Sequence, residues 1–197
     1  MTENQEKKPE SASDTKFILT ITLKLLVISA ITALLLAGVN ALTAPTIAAN
    51  NELEKKNAIS LIFPDANDIE AADVVSDGVE SVYIVMKDGD LLGYAASVAP
   101  VGFGGAMDIM VGVNSDGCVE GIKIVSHSET PGLGSRVDSD SFLGQYKGLG
   151  GNVAVGQDVD AITGSTISSE AVTEGVNSAL AVFGKIFSET DAIGGLE

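Results

Sequence analysis

Between Lys24 and Glu52 the chain carries no charged residue, and Leu25–Leu42 (LLVISAITALLLAGVNAL) is almost wholly apolar. A helix needs roughly 20 apolar residues to cross a bilayer, and the run from Leu25 to Ala44 has that length. A core helix of a soluble protein is the weaker alternative, because nothing interrupts the apolar face. Phe17–Leu23 leads into the run, and Lys24 at its edge can snorkel to the headgroups. We expect a disordered cytoplasmic tail over residues 1–16 and a transmembrane anchor over residues 17–44, in contact with membrane lipid. Lys7, Lys8, Lys16 and Lys24 precede the span and only Lys55 and Lys56 follow closely. That bias places the N-terminus in the cytoplasm and the main domain outside a cell membrane crossed once. The rival is a cleaved signal peptide with Val39-Asn40-Ala41 as its small-residue site, but the run is longer than an ordinary h-region.

Beyond the span the pattern changes to that of a folded domain. Residues 45–80 read as a helical and loop connector. Pro45 marks the exit from the membrane, and Leu53, Ile59 and Ile62 suggest one face of a helix over Asn51–Phe63 that Pro64 stops. Residues 65–78 are acidic and turn-rich. Residues 81–188 form the expected domain. Ser81–Lys87 alternates, Asp88-Gly89 is a hairpin signal, and Leu91–Val98 is the return strand. Met107–Val113 and Cys118–Ser126 read as two further strands, and Ser139–Tyr146 as a short helix. After Thr166, residues Ile167, Ala171, Val172, Val176, Ala179, Leu180, Phe183 and Phe187 recur at helical spacing, which predicts a long amphipathic helix. Residues 189–197 read as a flexible tail. The fold class is α+β: one N-terminal transmembrane helix, then an extracytoplasmic domain with an antiparallel sheet and a long C-terminal helix.

Charge and composition exclude several functions. There are 27 acidic residues against 11 basic ones, for a net charge of −16, which opposes nucleic-acid binding. Cys118 is the single cysteine and His127 the single histidine, so neither a disulfide nor a metal cluster is expected. A Ser-His-Asp hydrolase would have to use His127.

Three stretches combine chemistry with unusual backbone. Gly102-Phe103-Gly104-Gly105 would let main chain approach a flat ligand, or is an ordinary loop between strands. His127-Ser128-Glu129-Thr130-Pro131-Gly132-Leu133-Gly134 gathers an imidazole, a carboxylate and a hydroxyl on a rigid turn, or is a solvated turn. Asp160-Ala161-Ile162-Thr163-Gly164-Ser165-Thr166 sets three hydroxyls at a helix N-terminus, where free N–H groups and the helix dipole suit a phosphate. There the plain alternative is helix capping.

Taken in this order behind one membrane span, the three stretches resemble the covalent-flavin subunits of membrane redox complexes. These are the G subunit of the Rnf complex, the related C subunit of the sodium-translocating quinone reductase, and their FMN-binding domain. The glycine loop, the His-x-Glu-Thr-Pro-Gly-Leu-Gly stretch and the Asp-x-x-Thr-Gly-Ser-Thr motif are matched at 102–105, 127–134 and 160–166, covering the span and nearly all of the outer domain. Ser165 stands where alanine is commoner, and Phe103 where tyrosine is frequent. The chain length favours the Rnf protein. The resemblance implies an electron carrier within a ferredoxin:NAD oxidoreductase that moves ions across the membrane, with no catalytic residue of its own. It implies FMN held as a phosphoester on Thr166 and placed there by a flavin transferase that reads Asp160 and Gly164, with Thr163 and Ser165 as the setting. Gly104, Gly105, Glu129, Thr130, Gly132 and Leu133 would lie near the ring or ribityl chain, and His127 would bond the flavin or brace the turn at Pro131. The implied partners are other membrane subunits of the complex. The alternatives are the quinone-reductase counterpart or another extracytoplasmic flavin relay, and an anchored binding protein without cofactor.

Overall fold

The computed structural model describes residues 12–72 and 76–193. Most of the expected N-terminal tail (1–11), the last four residues of the C-terminal tail (194–197) and residues 73–75 of the acidic stretch lie outside the described residues. The chain divides into two compact units, residues 1–50 and 51–197.

Helix α1 (Ala12–Ile62) fills the described part of the first unit and continues into the second. None of its most apolar window is buried, and it is long and apolar enough to cross a membrane. Thr32 donates to the carbonyl of Ile28 (2.9 Å) and Thr43 to that of Val39 (3.0 Å), so these hydroxyls are satisfied within the helix. Such internal pairing is what an apolar solvent demands. Pro45, read as the exit from the membrane, lies inside this helix. Proline removes one N–H from the ladder, but the helix still pairs the neighbouring backbone groups, which an apolar surrounding would otherwise leave unbonded.

In the second unit five strands form an antiparallel meander in sequence order: β1 (Asp68–Ala72), β2 (Val79–Lys87), β3 (Asp90–Val98), β4 (Asp108–Asn114) and β5 (Val119–Ser126). The β2–β3 hairpin turns through Asp88 and Gly89, both with positive φ, the backbone of a two-residue hairpin loop. Strand β1 falls in a stretch expected to be turns. Its Asp68-Ile69-Glu70 sequence has weak strand propensity, and it forms by pairing with β2 along Asp68↔Met86 to Ala72↔Val82.

Because strand side chains alternate in direction, the sheet buries both faces. Tyr83, Val85, Ala95 and Met110 pack against Ala58, Ile59, Ile62 and Phe63, at and just beyond the end of α1. Leu53, expected on that face, is exposed. It lies six residues before Ile59, about 240° around the helix. The opposite face presents Ala96, Val98, Ile109, Val111 and Val113 to helix α3 (Thr166–Ile193), through Ala171, Val172, Val176, Ala179 and Leu180. Between β5 and α3 the expected short helix appears as a 3₁₀ turn (Gly134–Asp138), one α-turn, α2 (Asp140–Leu143), and a second 3₁₀ turn (Gly144–Tyr146). The core face of α3 begins at Ala171 rather than Ile167, which is exposed because it faces the cleft described next.

Candidate functional site

Two turns meet where α3 begins. In the first, Thr130-Pro131-Gly132-Leu133, Leu133 N–H donates to the Thr130 carbonyl (3.1 Å) and Gly132 has φ +74°. Proline at the second position and glycine at the third are the residues of a type II turn. In the second, Ile162-Thr163-Gly164-Ser165, Ser165 N–H donates to the Ile162 carbonyl (2.8 Å), and Gly164 has φ +83°, which its missing Cβ permits. Helix α3 then starts at Thr166, leaving its first N–H groups without helical partners.

A cleft of about 320 Å³ opens between these turns, within the size range of small-molecule sites. It is lined by Phe103, Glu129, Thr130, Leu133, Gly134, Gly164, Ser165, Thr166, Ile167 and Ser168. Phe103 (73% exposed), Leu133 and Ile167 make an apolar rim, while Glu129 and Ser165 are each 5% exposed. The Glu129 carboxylate is wrapped by backbone. Its Oε1 accepts the Gly104 N–H (3.1 Å), and a Cβ at Gly102 or Gly134 would collide with its two oxygens. Glu129 Oε2 and Ser165 Oγ are buried without a hydrogen-bond partner. A buried polar atom left unpaired costs about 1–3 kcal/mol, so two of them lining one cleft suit a ligand that supplies partners.

Of the residues singled out from sequence, Glu129, Thr130, Leu133, Gly164, Ser165 and Thr166 converge on this cleft. Gly104 supports it through its bond to Glu129. His127 is not among the lining residues. Its Nδ1 accepts the Glu129 N–H (3.3 Å), one residue before the first turn. Gly105, Gly132 and Thr163 shape the loops without lining the cavity. Asp160 also stands outside it, with its backbone clamped by Gln145, whose Oε1 accepts the Asp160 N–H (2.8 Å). Helix capping does not account for Ser165. It occupies the residue before α3, yet its hydroxyl bonds nothing.

Four residues that line the cleft were not among those singled out from sequence: Phe103, Gly134, Ile167 and Ser168. An aromatic side chain flanked by glycines was the available signal for Phe103. For Ile167 the helical periodicity pointed the other way, to the core.

Two family profiles match the chain: an FMN-binding domain over residues 102–181 and an RnfG N-terminal region over residues 14–62. The G subunit of the Na⁺-translocating ferredoxin:NAD⁺ oxidoreductase complex of Acetobacterium woodii is 34% identical, over 90% of this chain and 97% of that protein. Its counterpart in the proton-translocating ferredoxin:NAD⁺ oxidoreductase complex of Clostridium ljungdahlii is 33% identical, over 85% and 92%. Among solved structures, NqrC of Shewanella oneidensis aligns with a TM-score of 0.44 at 22% identity, over 58% of this chain and 64% of that one.

Proposed function

The chain belongs to the family of Rnf-complex G subunits, whose members match it nearly end to end, and we propose that it is the membrane-anchored FMN electron carrier of such a complex. Its FMN is joined through the phosphate to Thr166. The observation that carries the attachment is the contrast between two neighbouring hydroxyls: Ser165 is buried, whereas Thr166 is exposed on the rim of the cleft. A transferase can reach only the latter.

The residues present fit the group. The first turn of α3 offers unpaired N–H groups and the positive end of the helix dipole to a phosphate. Phe103, Leu133 and Ile167 offer apolar surface to a flat ring. Glu129 Oε2 lacks a protein partner and can bond the polar edge or ribityl hydroxyls. FMN supplies the redox chemistry when bound, and the protein positions it. A covalent link holds the flavin at high effective concentration where a dissociable one would be diluted.

The α1 span anchors the carrier, and the lysine bias before it directs the outer unit to the extracytoplasmic side. The partners are the other subunits of the complex, the surrounding lipid and a flavin transferase. Relatives named for sodium and for proton translocation are almost equally similar, so we assign the choice of ion to other subunits.

Co-expression of the full chain with a flavin transferase tests the attachment. The denatured wild-type band should fluoresce under ultraviolet light, Thr166→Ala should be dark, and Ser165→Ala should still fluoresce. A dark wild-type band of unmodified mass would overturn the covalent reading.

A further inference from the structure

One side chain outside the matched motif is hydrogen-bonded to both ends of the turn within it. Ser169 is fully buried on the inner side of α3. Its hydroxyl donates to the Ser165 carbonyl (3.0 Å) and accepts the Ile162 N–H (3.1 Å). Its own N–H donates to the same Ser165 carbonyl (2.9 Å). A serine hydroxyl can donate and accept at once, so Ser169 grips both ends of the Ile162–Ser165 turn. Ile162 and Ser165 are also tied to each other (2.8 Å). With the turn closed and clamped, the backbone at Ser165 is fixed as the helix begins. Its side chain goes inward, and the next one, Thr166, goes outward.

We infer that Ser169 is a positioning residue that makes Thr166, rather than Ser165, the hydroxyl accessible for flavin attachment. This rests on the attachment proposed above. In that step a hydroxyl oxygen attacks the FMN phosphorus of an activated FMN phosphoanhydride. A P–O ester bond forms, the anhydride P–O bond breaks and leaves with the nucleotide, and the hydroxyl proton passes to a base of the transferase. Serine and threonine hydroxyls are equally capable of this attack, so presentation decides between them. Ser169 itself is buried beneath the turn and does not line the cleft.

The test uses the full chain, co-expressed or incubated with transferase and a flavin dinucleotide donor, with the labelled residue mapped by peptide mass. Ser169→Ala should lower the labelling rate at Thr166 about tenfold, as small misplacements of a reacting group do, and divert part of the label to Ser165. Ser169→Thr, which restores the hydroxyl, should recover labelling at Thr166. Thr173→Ala is the control. It removes another buried hydroxyl of α3, one that donates to the Ser169 carbonyl (3.0 Å) but does not touch the turn. It should lower Tm while labelling at the wild-type rate and site. Wild-type labelling of Ser169→Ala at Thr166 would overturn the inference. So would a loss of label that merely tracks the loss of Tm across the three variants. An unlabelled wild-type chain would instead overturn the attachment reading on which the inference depends.

Discussion

Helices α1 and α3 are both long and rich in apolar residues, yet they distribute those residues in opposite ways. On α1, Leu25, Leu34, Leu35, Leu36 and Leu42 stand exposed around the helix. On α3, Val172 and Val176 are wholly buried, and Glu170 and Glu174 face outward. A helix that is apolar on every side needs an apolar solvent, and one with a single apolar stripe needs a partner surface. The apolar part of the first suits an anchor, and only its last turns, from Ala58 on, pack against the sheet. The second is packed on a sheet, so its N-terminus is held rigidly where the two turns converge, and that is where the cleft lies.

The sharpest way to break this comparison is to place the same charge on each helix. Val176→Asp puts a carboxylate into the closed interface between α3 and the sheet, a change expected to cost about 4 kcal/mol or more. That is comparable to the whole stability of an ordinary domain. Thermal unfolding of the full chain in detergent should show the cooperative transition of the outer unit lost or greatly lowered. A wild-type Tm would mean that α3 does not depend on the sheet. Leu34→Asp, near the middle of the apolar run of α1, should leave that transition unchanged, because its side chain is exposed rather than packed within the protein. It should instead weaken membrane insertion by about 3 kcal/mol, read as a larger fraction of protein released by an alkaline wash. Loss of the unfolding transition in this variant would show that α1 is packed like α3.

The same contrast explains what could be read from the sequence. The long apolar helix was legible because an apolar run without charge needs only composition and length to be read. Strands β2 to β5 were legible because residue alternation and the Asp88-Gly89 turn act locally. Strand β1 was not, since its acidic residues become a strand only by pairing with β2. The continuation of α1 through Pro45 was not legible either, because a proline removes a backbone N–H and reads locally as an interruption. At the site, Glu129, Thr130, Leu133 and the Gly164–Thr166 segment were named as motif residues, and they converge. The opposite exposure of Ser165 and Thr166 depends on the phase at which α3 starts, and Ser169, four residues further on, controls that phase through hydrogen bonds. No periodicity in hydrophobicity encodes such a bond.

The smallest expected effect is a pH dependence from a phenol packed against α3. Tyr146 is fully buried and hydrogen-bonded to Thr173 of α3 at 2.7 Å. Burial pushes the Tyr146 pKa up to about 12, against a smaller opposite pull from the Thr173 bond. In the unfolded chain the phenol ionises near pH 10. Between pH 10 and 12 the unfolded state has therefore released a proton that the folded state retains, and stability falls as pH rises through that window. Below pH 10 the group contributes no pH dependence. Tyr146→Phe should be less stable at neutral pH by about 1 kcal/mol for the lost hydrogen bond. Its urea midpoint should then decline less steeply from pH 10 to 12, so that the two curves converge and cross. Burial also raises the pKa of Tyr94, but that residue is present in both proteins and cancels from the difference. Parallel curves across the window would show that the phenol is not held neutral against α3. The span cannot be the source of any difference, because α1 carries no charged residue from Leu25 to Asn51.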